Sequence, residues 1–150
     1  MADAPLRPHE LAVETPDRFD AGLWFIGRIR TPWTVRGSCP HRGDAENGPE
    51  CRIEVDDLWA PALHGVKDHD RLQILYWMDQ ARRDAVRQNP KFGDSSTGTF
   101  ALCSPVRPNP IASSEVRLLG VDGQVLAVRG LDCLDGTPLL DIKPLFGALT

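Results

Sequence analysis

The sequence predicts a mainly all-β protein, built as an antiparallel barrel or a closely related all-β fold. Short runs rich in β-branched and aromatic residues recur along the 150-residue chain, with glycine, proline and aspartate between them. Helix signals are few, and strands do not alternate with helices as they do in parallel α/β proteins. Hydrophobic residues make up 41% of the chain, which is enough for a globular domain with its own core.

The first predicted strands lie in the N-terminal half of the chain. Residues 1–20 are rich in proline and charge and are expected to form a flexible N-terminal arm. Leu23–Ile29 (LWFIGRI) is the first predicted strand, and Thr31-Pro32 ends it. A loop rich in glycine and proline follows, and then Cys51–Val55 alternates apolar and polar residues as a half-buried strand does.

The middle of the chain predicts two further strands and one short helix. Leu72–Met78 is a continuous apolar run, so we expect a buried strand there. The polar segment after it is expected to start as a short helix that ends at Asn89-Pro90. Gly98–Cys103 is predicted as another strand that leads into a proline-rich segment.

The C-terminal part of the chain contains two Asp-Gly turns. Asp122-Gly123 lies between EVRLLGV and QVLAVRG, which is the strongest hairpin signal in the sequence. Asp135-Gly136 predicts a second tight turn, and a last strand, Leu139–Ile142, follows it and is closed by Pro144. Strands joined by tight turns pair in antiparallel fashion, so this pattern supports the all-β prediction.

Charge, hydropathy and cysteine spacing exclude several classes of protein. A formal net charge of −4 argues against a generally basic nucleic-acid coat protein, but not against a local basic patch. No apolar run is long enough to span a membrane, so we expect a cytoplasmic protein without a membrane partner. Cys39, Cys51, Cys103 and Cys133 form no C-x-x-C pair, so reduced thiols are expected. Cys39, His41 and Cys51 lack the usual zinc-ligand spacing, and no metal site is expected.

Three segments combine turn-forming residues with functional side chains, while the common nucleotide-binding, hydrolase and zinc-protease motifs are absent. The first segment, Thr31–Trp33 together with Cys39–Gly43, is interpreted from composition as a strand end followed by a surface loop. The second, Leu134–Pro138, has two interpretations. It is a simple hairpin turn, or it is a turn whose amides and Asp135 carboxylate bind the polar groups of a small cofactor.

A third segment holds three prolines, Pro105, Pro108 and Pro110, around one arginine and one asparagine. Proline restricts its own backbone and that of the preceding residue, so Arg107 and Asn109 are stiffened twice over. The segment is then a stiff connection between strands, or a P-x-x-P ligand for a peptide-binding domain. In the functional interpretation, the rigid backbone lowers the entropy cost of holding Arg107 and Asn109 toward a ligand.

Three motifs, IGRIRTPW, RPNPI and GLDCLDGTPLLDIKP, together resemble the TsaA-like, or TrmO, family of S-adenosyl-L-methionine-dependent tRNA methyltransferases. The resemblance covers roughly residues 23–146 and implies a small single-sheet antiparallel β-barrel domain, residues 21–150, that is commonly a homodimer. It also implies S-adenosyl-L-methionine as the cofactor. The implied activity is methylation of N6 of threonylcarbamoyladenosine, next to the anticodon of a threonine tRNA.

The resemblance also implies site residues by their position in the motifs. The cofactor-binding positions are Pro40, His41, Arg42, Met78, Asp79, Ser113, Leu134, Asp135, Gly136 and Thr137. Arg107 and Asn109 are assigned to positioning of the substrate or the cofactor. A base that removes the N6 proton would help the reaction, and Asp135 and Asp79 are the candidate catalytic residues, with His41 third.

Several positions differ from the residues usual in the family, namely His41-Arg42, Met78-Asp79, Cys103 and Ala112-Ser113. A contact made through the main chain tolerates such changes, but a side-chain contact from the position of Cys103 does not, so Cys103 is not included among the cofactor-binding residues. These differences keep a second hypothesis open, a cofactor- or RNA-binding module of the same fold with lost or altered catalysis. A purely structural barrel is the third.

Overall fold

The computed structural model describes residues 4–146, and its strands confirm the mainly all-β prediction. The strands are β1 (Leu11–Ala12), β2 (Gly27–Arg30), β3 (Glu50–Val55), β4 (Arg71–Trp77), β5 (Ala85–Gln88), β6 (Thr97–Gly98), β7 (Ile111–Asp122), β8 (Val125–Arg129) and β9 (Thr137–Pro144). Short 3₁₀ helices span Asp57–Leu63, Val66–Asp68 and Thr99–Ala101. None of the helices in the described part of the chain is long and apolar enough to cross a bilayer.

Six strands close into one antiparallel barrel in the order β2-β3-β8-β7-β4-β9, and β9 returns to β2. Ile29 of β2 lies opposite Ile53 of β3 on one side and opposite Thr137 of β9 on the other. Ile53 in turn lies opposite Leu126 of β8. A closed sheet pairs the hydrogen-bonding groups of every strand and leaves no open edge, which confirms the predicted single-sheet barrel.

The barrel core follows from the alternation of side chains along each strand. Ile29, Ile53, Ile74, Val116 and Leu126 point inward and have no exposed surface, while their neighbours along the strands are more exposed. Burial of each such side chain stabilises the fold by about 1.5–3 kcal/mol relative to its exposure to water. The β7–β8 hairpin turns at Gly123, whose φ of 60° favours glycine, as the Asp122-Gly123 pair predicted.

The described part of the chain divides into two compact units, residues 4–22 with 78–112 and residues 23–77 with 113–146. The first unit, here called the strap unit, contains the small sheet β1-β5-β6. The second, called the barrel unit, contains the barrel strands, except that β7 begins at Ile111.

Within the strap unit, the N-terminal segment makes specific contacts with the residues around Pro90. Leu11 pairs with Arg87 across β1 and β5. The Glu10 carboxylate accepts a hydrogen bond of 2.7 Å from the Asn89 main-chain nitrogen, and the Asn89 side-chain amide donates to the Pro8 carbonyl oxygen at 2.9 Å. These bonds hold part of the segment that the sequence predicts as an arm. The flexibility of that arm stays a prediction.

The short helix predicted after β4 is wrong, because Ala85–Gln88 forms β5. Arg82 forms an ion pair with Asp84, with Nε 2.6 Å from Oδ1. Residues two apart do not face each other on a helix, so this pair favours an extended chain. The buried Gln88 side-chain nitrogen then donates to the Thr99 hydroxyl at 2.8 Å, a long-range contact that a local pattern does not reveal.

One predicted strand is wrong and another is shorter than expected. Of the predicted strand Gly98–Cys103, only Gly98 lies in a strand, β6, because Thr99–Ala101 turns as a 3₁₀ helix and the Thr99 hydroxyl donates to the Ala85 carbonyl oxygen at 2.8 Å. Strand β2 starts at Gly27, so the first residues of the predicted strand Leu23–Ile29 lie outside it. Apolar composition alone did not show at which residue the strand begins.

Candidate functional site

The Leu134–Thr137 segment forms the tight turn that the Asp135-Gly136 pair predicted. Gly136 has a φ of 83°, a conformation that favours glycine, and its main-chain nitrogen donates to the Ile29 carbonyl oxygen at 2.7 Å. The Thr137 hydroxyl donates to the Leu134 carbonyl oxygen at 2.6 Å. The turn is therefore rigid and is fastened to the end of β2.

The TPW motif lies directly against this turn. The Asp135 main-chain nitrogen donates to the Trp33 carbonyl oxygen at 2.7 Å, and Asp135 Oδ1 accepts from the Thr31 main-chain nitrogen at 3.1 Å. The Thr31 hydroxyl donates to the Cys133 carbonyl oxygen at 2.7 Å. Asp135 Oδ2 lies 3.9 Å from Arg30 Nη1. Both carboxylate oxygens of Asp135 thus have partners within the protein, and its predicted role as a base stays a prediction.

The loop that carries Pro40, His41 and Arg42 packs against the chain after β8. A Cβ added at Gly43 would lie 1.7 Å from the Gly130 carbonyl oxygen and 3.2 Å from the Leu131 carbonyl carbon. Only glycine permits such a close approach of two backbones. The predicted cofactor-binding loop therefore lies beside Gly130 and Leu131, just before the Leu134–Thr137 turn.

The far end of this loop is also fixed. Asp44 Oδ1 accepts hydrogen bonds from the main-chain nitrogens of Asn47 at 2.9 Å and Glu46 at 3.0 Å, and these bonds lower the pKa of the Asp44 carboxyl. The Glu46 carboxylate accepts two bonds from Arg117 Nη2, at 2.8 and 2.9 Å. The loop is thereby attached to β7 of the barrel.

A polar network on the inner side of the barrel connects β4, β7 and the chain after β8. The Tyr76 hydroxyl lies 2.7 Å from Asp132 Oδ1 and 2.7 Å from the Ser114 hydroxyl. Tyr76 is only 2% exposed, and burial raises its pKa, so its hydroxyl stays protonated as a donor. On the exposed side of β7, the Ser113 hydroxyl accepts from Gln73 Nε2 at 3.0 Å.

Three residues of this network, Tyr76, Ser114 and Asp132, were not predicted from the sequence. Tyr76 belongs to an apolar run, which predicts only a strand, and Asp132 lies next to a turn that already explained the local pattern. The alternation along β7 places Ser114 on the inner face and Ser113 on the outer face. Ser114 directly precedes the predicted strand EVRLLGV, so its inward position became evident only from the longer β7, Ile111–Asp122.

Arg107 is bound within its own segment of the strap unit. Its Nη1 donates to the carbonyl oxygens of Leu102 at 2.9 Å and Ser104 at 3.0 Å. A charged donor that satisfies two carbonyl groups shapes the chain before the prolines. The structure therefore gives Arg107 a structural contact, while its predicted role toward a ligand stays a prediction.

Asn109 and Met78 also lie in the strap unit. Arg83 donates from Nε to the Pro108 carbonyl oxygen at 2.7 Å and from Nη2 to Asn109 Oδ1 at 3.2 Å. The Met78 main-chain nitrogen donates to the Pro110 carbonyl oxygen at 2.9 Å, and Met78 is half-buried. The next residue, Asp79, is exposed.

The predicted site residues thus form two groups, one in each unit. The barrel unit holds Pro40, His41, Arg42, Ser113, Leu134, Asp135, Gly136 and Thr137, and the strap unit holds Met78, Asp79, Arg107 and Asn109. Among residues 4–146, no three His, Cys, Asp or Glu side chains converge as metal ligands would. All four cysteines are free thiols.

The barrel and its rigid turn match a known family. Residues 28–149 match the model of the tRNA-methyltransferase O N-terminal domain, TrmO_N. The chain belongs to the TrmO family. This result confirms the resemblance that the three motifs indicated.

Relatives in the TrmO family are similar over most of the chain. A protein of Rhizobium radiobacter, named probable S-adenosyl-L-methionine-binding protein VirR, is 50% identical over 144 residues, which is 96% of this chain and 82% of that protein. The tRNA (adenine(37)-N6)-methyltransferase of Escherichia coli is 35% identical over 130 residues, 79% of this chain and 55% of that enzyme.

The crystal structure of TrmO from Pseudomonas aeruginosa has the same fold. It superimposes with a TM-score of 0.70 at 29% identity and covers 85% of this chain. The matched region is 57% of that solved TrmO chain, so this chain spans little more than half of it.

Proposed function

We propose that this protein is an S-adenosyl-L-methionine-dependent methyltransferase that acts on tRNA. The proposed target is N6 of threonylcarbamoyladenosine next to the anticodon of a threonine tRNA. The observation that carries the proposal is the Leu134–Thr137 turn, fastened to β2 and to the TPW motif within a barrel of the TrmO family. Membership of this family supports the reaction class, and names of its relatives include both an S-adenosyl-L-methionine-binding protein and a tRNA methyltransferase.

The residues at this end of the barrel unit suit a cationic ligand with apolar parts. Leu131 and Cys133 are almost fully buried, Cys39 is half-buried, and Asp132 between them is a half-buried carboxylate. Among the described residues, no arginine, lysine or histidine forms an ion pair with Asp132. A partly desolvated carboxylate without a cation is costly, so a positively charged ligand complements it.

The chain's own residues would then hold the methyl donor and position the nucleoside. The main chain of Pro40–Arg42 and of Leu134–Thr137 lines the cofactor site in this proposal. The amides of Asp135, Gly136 and Thr137 already donate to Trp33, Ile29 and Leu134 carbonyl oxygens, so the turn offers mainly carbonyl groups and side chains to a ligand. When bound, S-adenosyl-L-methionine supplies an electrophilic methyl group, and the protein contributes alignment, which is worth as much as about 7–11 kcal/mol.

Nucleoside mass spectrometry tests this function. The purified protein is incubated with S-adenosyl-L-methionine and threonine tRNA that contains threonylcarbamoyladenosine, and a mass gain of one methyl group at that nucleoside is expected. The same tRNA transcribed without modification is the matched control and should not change. Threonine tRNA from cells with and without the protein should differ in the same nucleoside. No methyl transfer to either tRNA would contradict the proposal.

A second candidate function is a binding module without this catalysis. The engagement of both Asp135 oxygens and of Arg107 within the protein favours it, since these groups are then less available to a substrate. Calorimetry separates the cases in combination with the assay above. Binding of S-adenosyl-L-methionine without methyl transfer to any tRNA would support the binding-module hypothesis. Binding together with methyl transfer would support the methyltransferase hypothesis.

Two further properties belong to the proposal, a homodimeric state and a cytoplasmic location. The four free thiols fit a reducing compartment, where tRNA is also found. Analytical ultracentrifugation of the full chain tests the dimer, and a single species at the 16.6 kDa monomer mass would contradict it.

A further inference from the structure

The Asp132 carboxylate is oriented by two hydroxyl groups that come from different strands. The Tyr76 hydroxyl carries a single proton and donates it to Asp132 Oδ1 at 2.7 Å. The Ser114 hydroxyl lies 2.7 Å from the Tyr76 oxygen and 3.5 Å from Asp132 Oδ1, so it donates into the same cluster. In the described part of the chain, no hydrogen bond reaches Oδ2 of Asp132. One oxygen is therefore fixed and the other is left for a ligand.

Asp132 lies between the two segments that would line the cofactor site. On one side, Gly43 lies against Gly130 and Leu131, which places the Pro40–Arg42 loop next to Asp132. On the other side, Cys133 leads into the Leu134–Thr137 turn, and the Cys133 carbonyl oxygen is held by the Thr31 hydroxyl. A ligand that touches both segments passes close to Asp132.

Two thiols, those of Cys39 and Cys133, lie close enough to Asp132 to be affected by its charge. Burial, and after it the charge of Asp132, raises the pKa of the half-buried Cys39 thiol. Burial raises the pKa of the Cys133 thiol to about 12, and the charge of Asp132 adds to this effect. The carboxylate thus lies near two neutral thiols and two hydroxyl groups, and no cationic side chain of the described residues forms an ion pair with it.

These neighbours favour one kind of cation. An ammonium group carries three N–H donors and needs several acceptors when it is desolvated. A sulfonium group has no N–H or O–H and requires only a nearby negative charge in an otherwise weakly polar site. The environment of Asp132 matches the second requirement.

We propose that Asp132, held by Tyr76 and Ser114, binds the positively charged sulfur of the methyl donor and makes the site prefer the donor over the spent product. This inference rests on the proposed function. Loss of the methyl group leaves a neutral thioether, so the attraction to Asp132 ends when the reaction is complete. Release of the product is thereby favoured without any movement of the chain.

Titration calorimetry with S-adenosyl-L-methionine and S-adenosylhomocysteine tests the inference, because the two ligands share the adenosine and the ammonium and differ in the charge on sulfur. Wild-type protein should bind the donor at least about tenfold more tightly than the product. Asp132→Asn should weaken the binding of the donor by about tenfold or more and change the binding of the product by less than about threefold. The preference for the donor would then be lost. Asp141→Asn is the matched control, since it removes one exposed carboxylate that pairs with Lys143 and should leave the preference unchanged.

Tyr76→Phe provides a second variant, because it keeps the charge of Asp132 but removes the hydroxyl that orients it. A reduced preference for the donor is expected, with thermal unfolding measured in parallel to show that each variant is folded. If Asp132→Asn does not fold, the wild-type comparison still tests the preference, and Tyr76→Phe tests the part that Asp132 plays in it.

The outcomes separate this inference from the proposed function. Wild-type binding of the thioether as tightly as the donor, or equal weakening of both ligands by Asp132→Asn, would overturn the inference and leave the methyltransferase proposal standing. If the wild-type protein binds neither ligand, this inference and the methyltransferase proposal are both wrong.

Discussion

Asp135 accepts a hydrogen bond of 3.1 Å at Oδ1 from the main-chain nitrogen of Thr31, a residue 104 positions earlier in the chain. The bond joins two motifs that the sequence shows only as separate turns. It also occupies the carboxylate that the sequence indicates as a candidate base. Asp135 therefore stabilises the contact between the Leu134–Thr137 turn and the TPW motif.

Asp135→Ala is expected to lower the free energy of unfolding by about 1 kcal/mol, because the Thr31 N–H loses its acceptor. Asp135→Asn keeps an oxygen at that position and loses only the partly exposed attraction to Arg30, so its effect should be smaller. Urea denaturation at constant pH measures both. Equal stability of Asp135→Ala and the wild type would show that the bond contributes nothing.

Arg107→Ala is expected to lower the stability by about 1.5–3 kcal/mol, since the carbonyl groups of Leu102 and Ser104 lose a charged donor. A role toward a ligand would add a loss of methylation or of cofactor binding beyond the loss of folded protein. Denaturation and binding should therefore be measured on the same samples, with Arg107→Lys as the variant that keeps the charge. Unchanged stability with lost binding would indicate a purely functional role.

Gly43→Ala is expected to lower the stability by about 3 kcal/mol or more, because its Cβ would overlap the Gly130 carbonyl oxygen and the two backbones would have to move apart. Gly120→Ala is the matched control in the same unit, since a Cβ at Gly120 meets no atom within 4 Å. Thermal unfolding of the two variants measures the difference. Similar melting temperatures would mean that the loop after Cys39 does not depend on this approach.

The stability should fall as the pH rises above about 9. Burial raises the pKa of Cys51 to about 11 and that of Cys133 to about 12, from an ordinary value of 9.0. Above pH 9 the unfolded chain loses these protons while the folded protein keeps them, so the unfolded state gains at most about 1.4 kcal/mol per pH unit from each thiol.

Denaturation at pH 7 to 10 measures this slope. Cys51→Ala should show a shallower decline between pH 9 and 10 than the wild type, even though it is less stable at pH 7. Tyr76 contributes in the same direction above pH 10, because burial also raises its pKa. A decline that is identical in Cys51→Ala would show that Cys51 is already accessible to deprotonation in the folded protein.

Local patterns in the sequence were sufficient to predict the barrel class and the turns. The alternation in Cys51–Val55, the apolar run Leu72–Met78 and the Asp122-Gly123 and Asp135-Gly136 pairs each act over a few residues, and the structure contains a strand or turn at each. The motif resemblance likewise predicted the family. Such signals are readable because side-chain direction and turn conformation depend on neighbouring residues.

The sequence by itself therefore determined the strand-rich fold, the tight turns and the family, and the tertiary structure decided the rest. Only the tertiary structure shows that β5 forms where a helix was predicted and that Asp135 is bonded to Thr31. Only the tertiary structure brings Tyr76, Ser114 and Asp132 into one network. Tyr76 and Asp132 are 56 residues apart, and they meet because the closed barrel brings β4 next to the chain after β8. Hydrogen bonds of this kind depend on the register of whole strands, which no local pattern specifies.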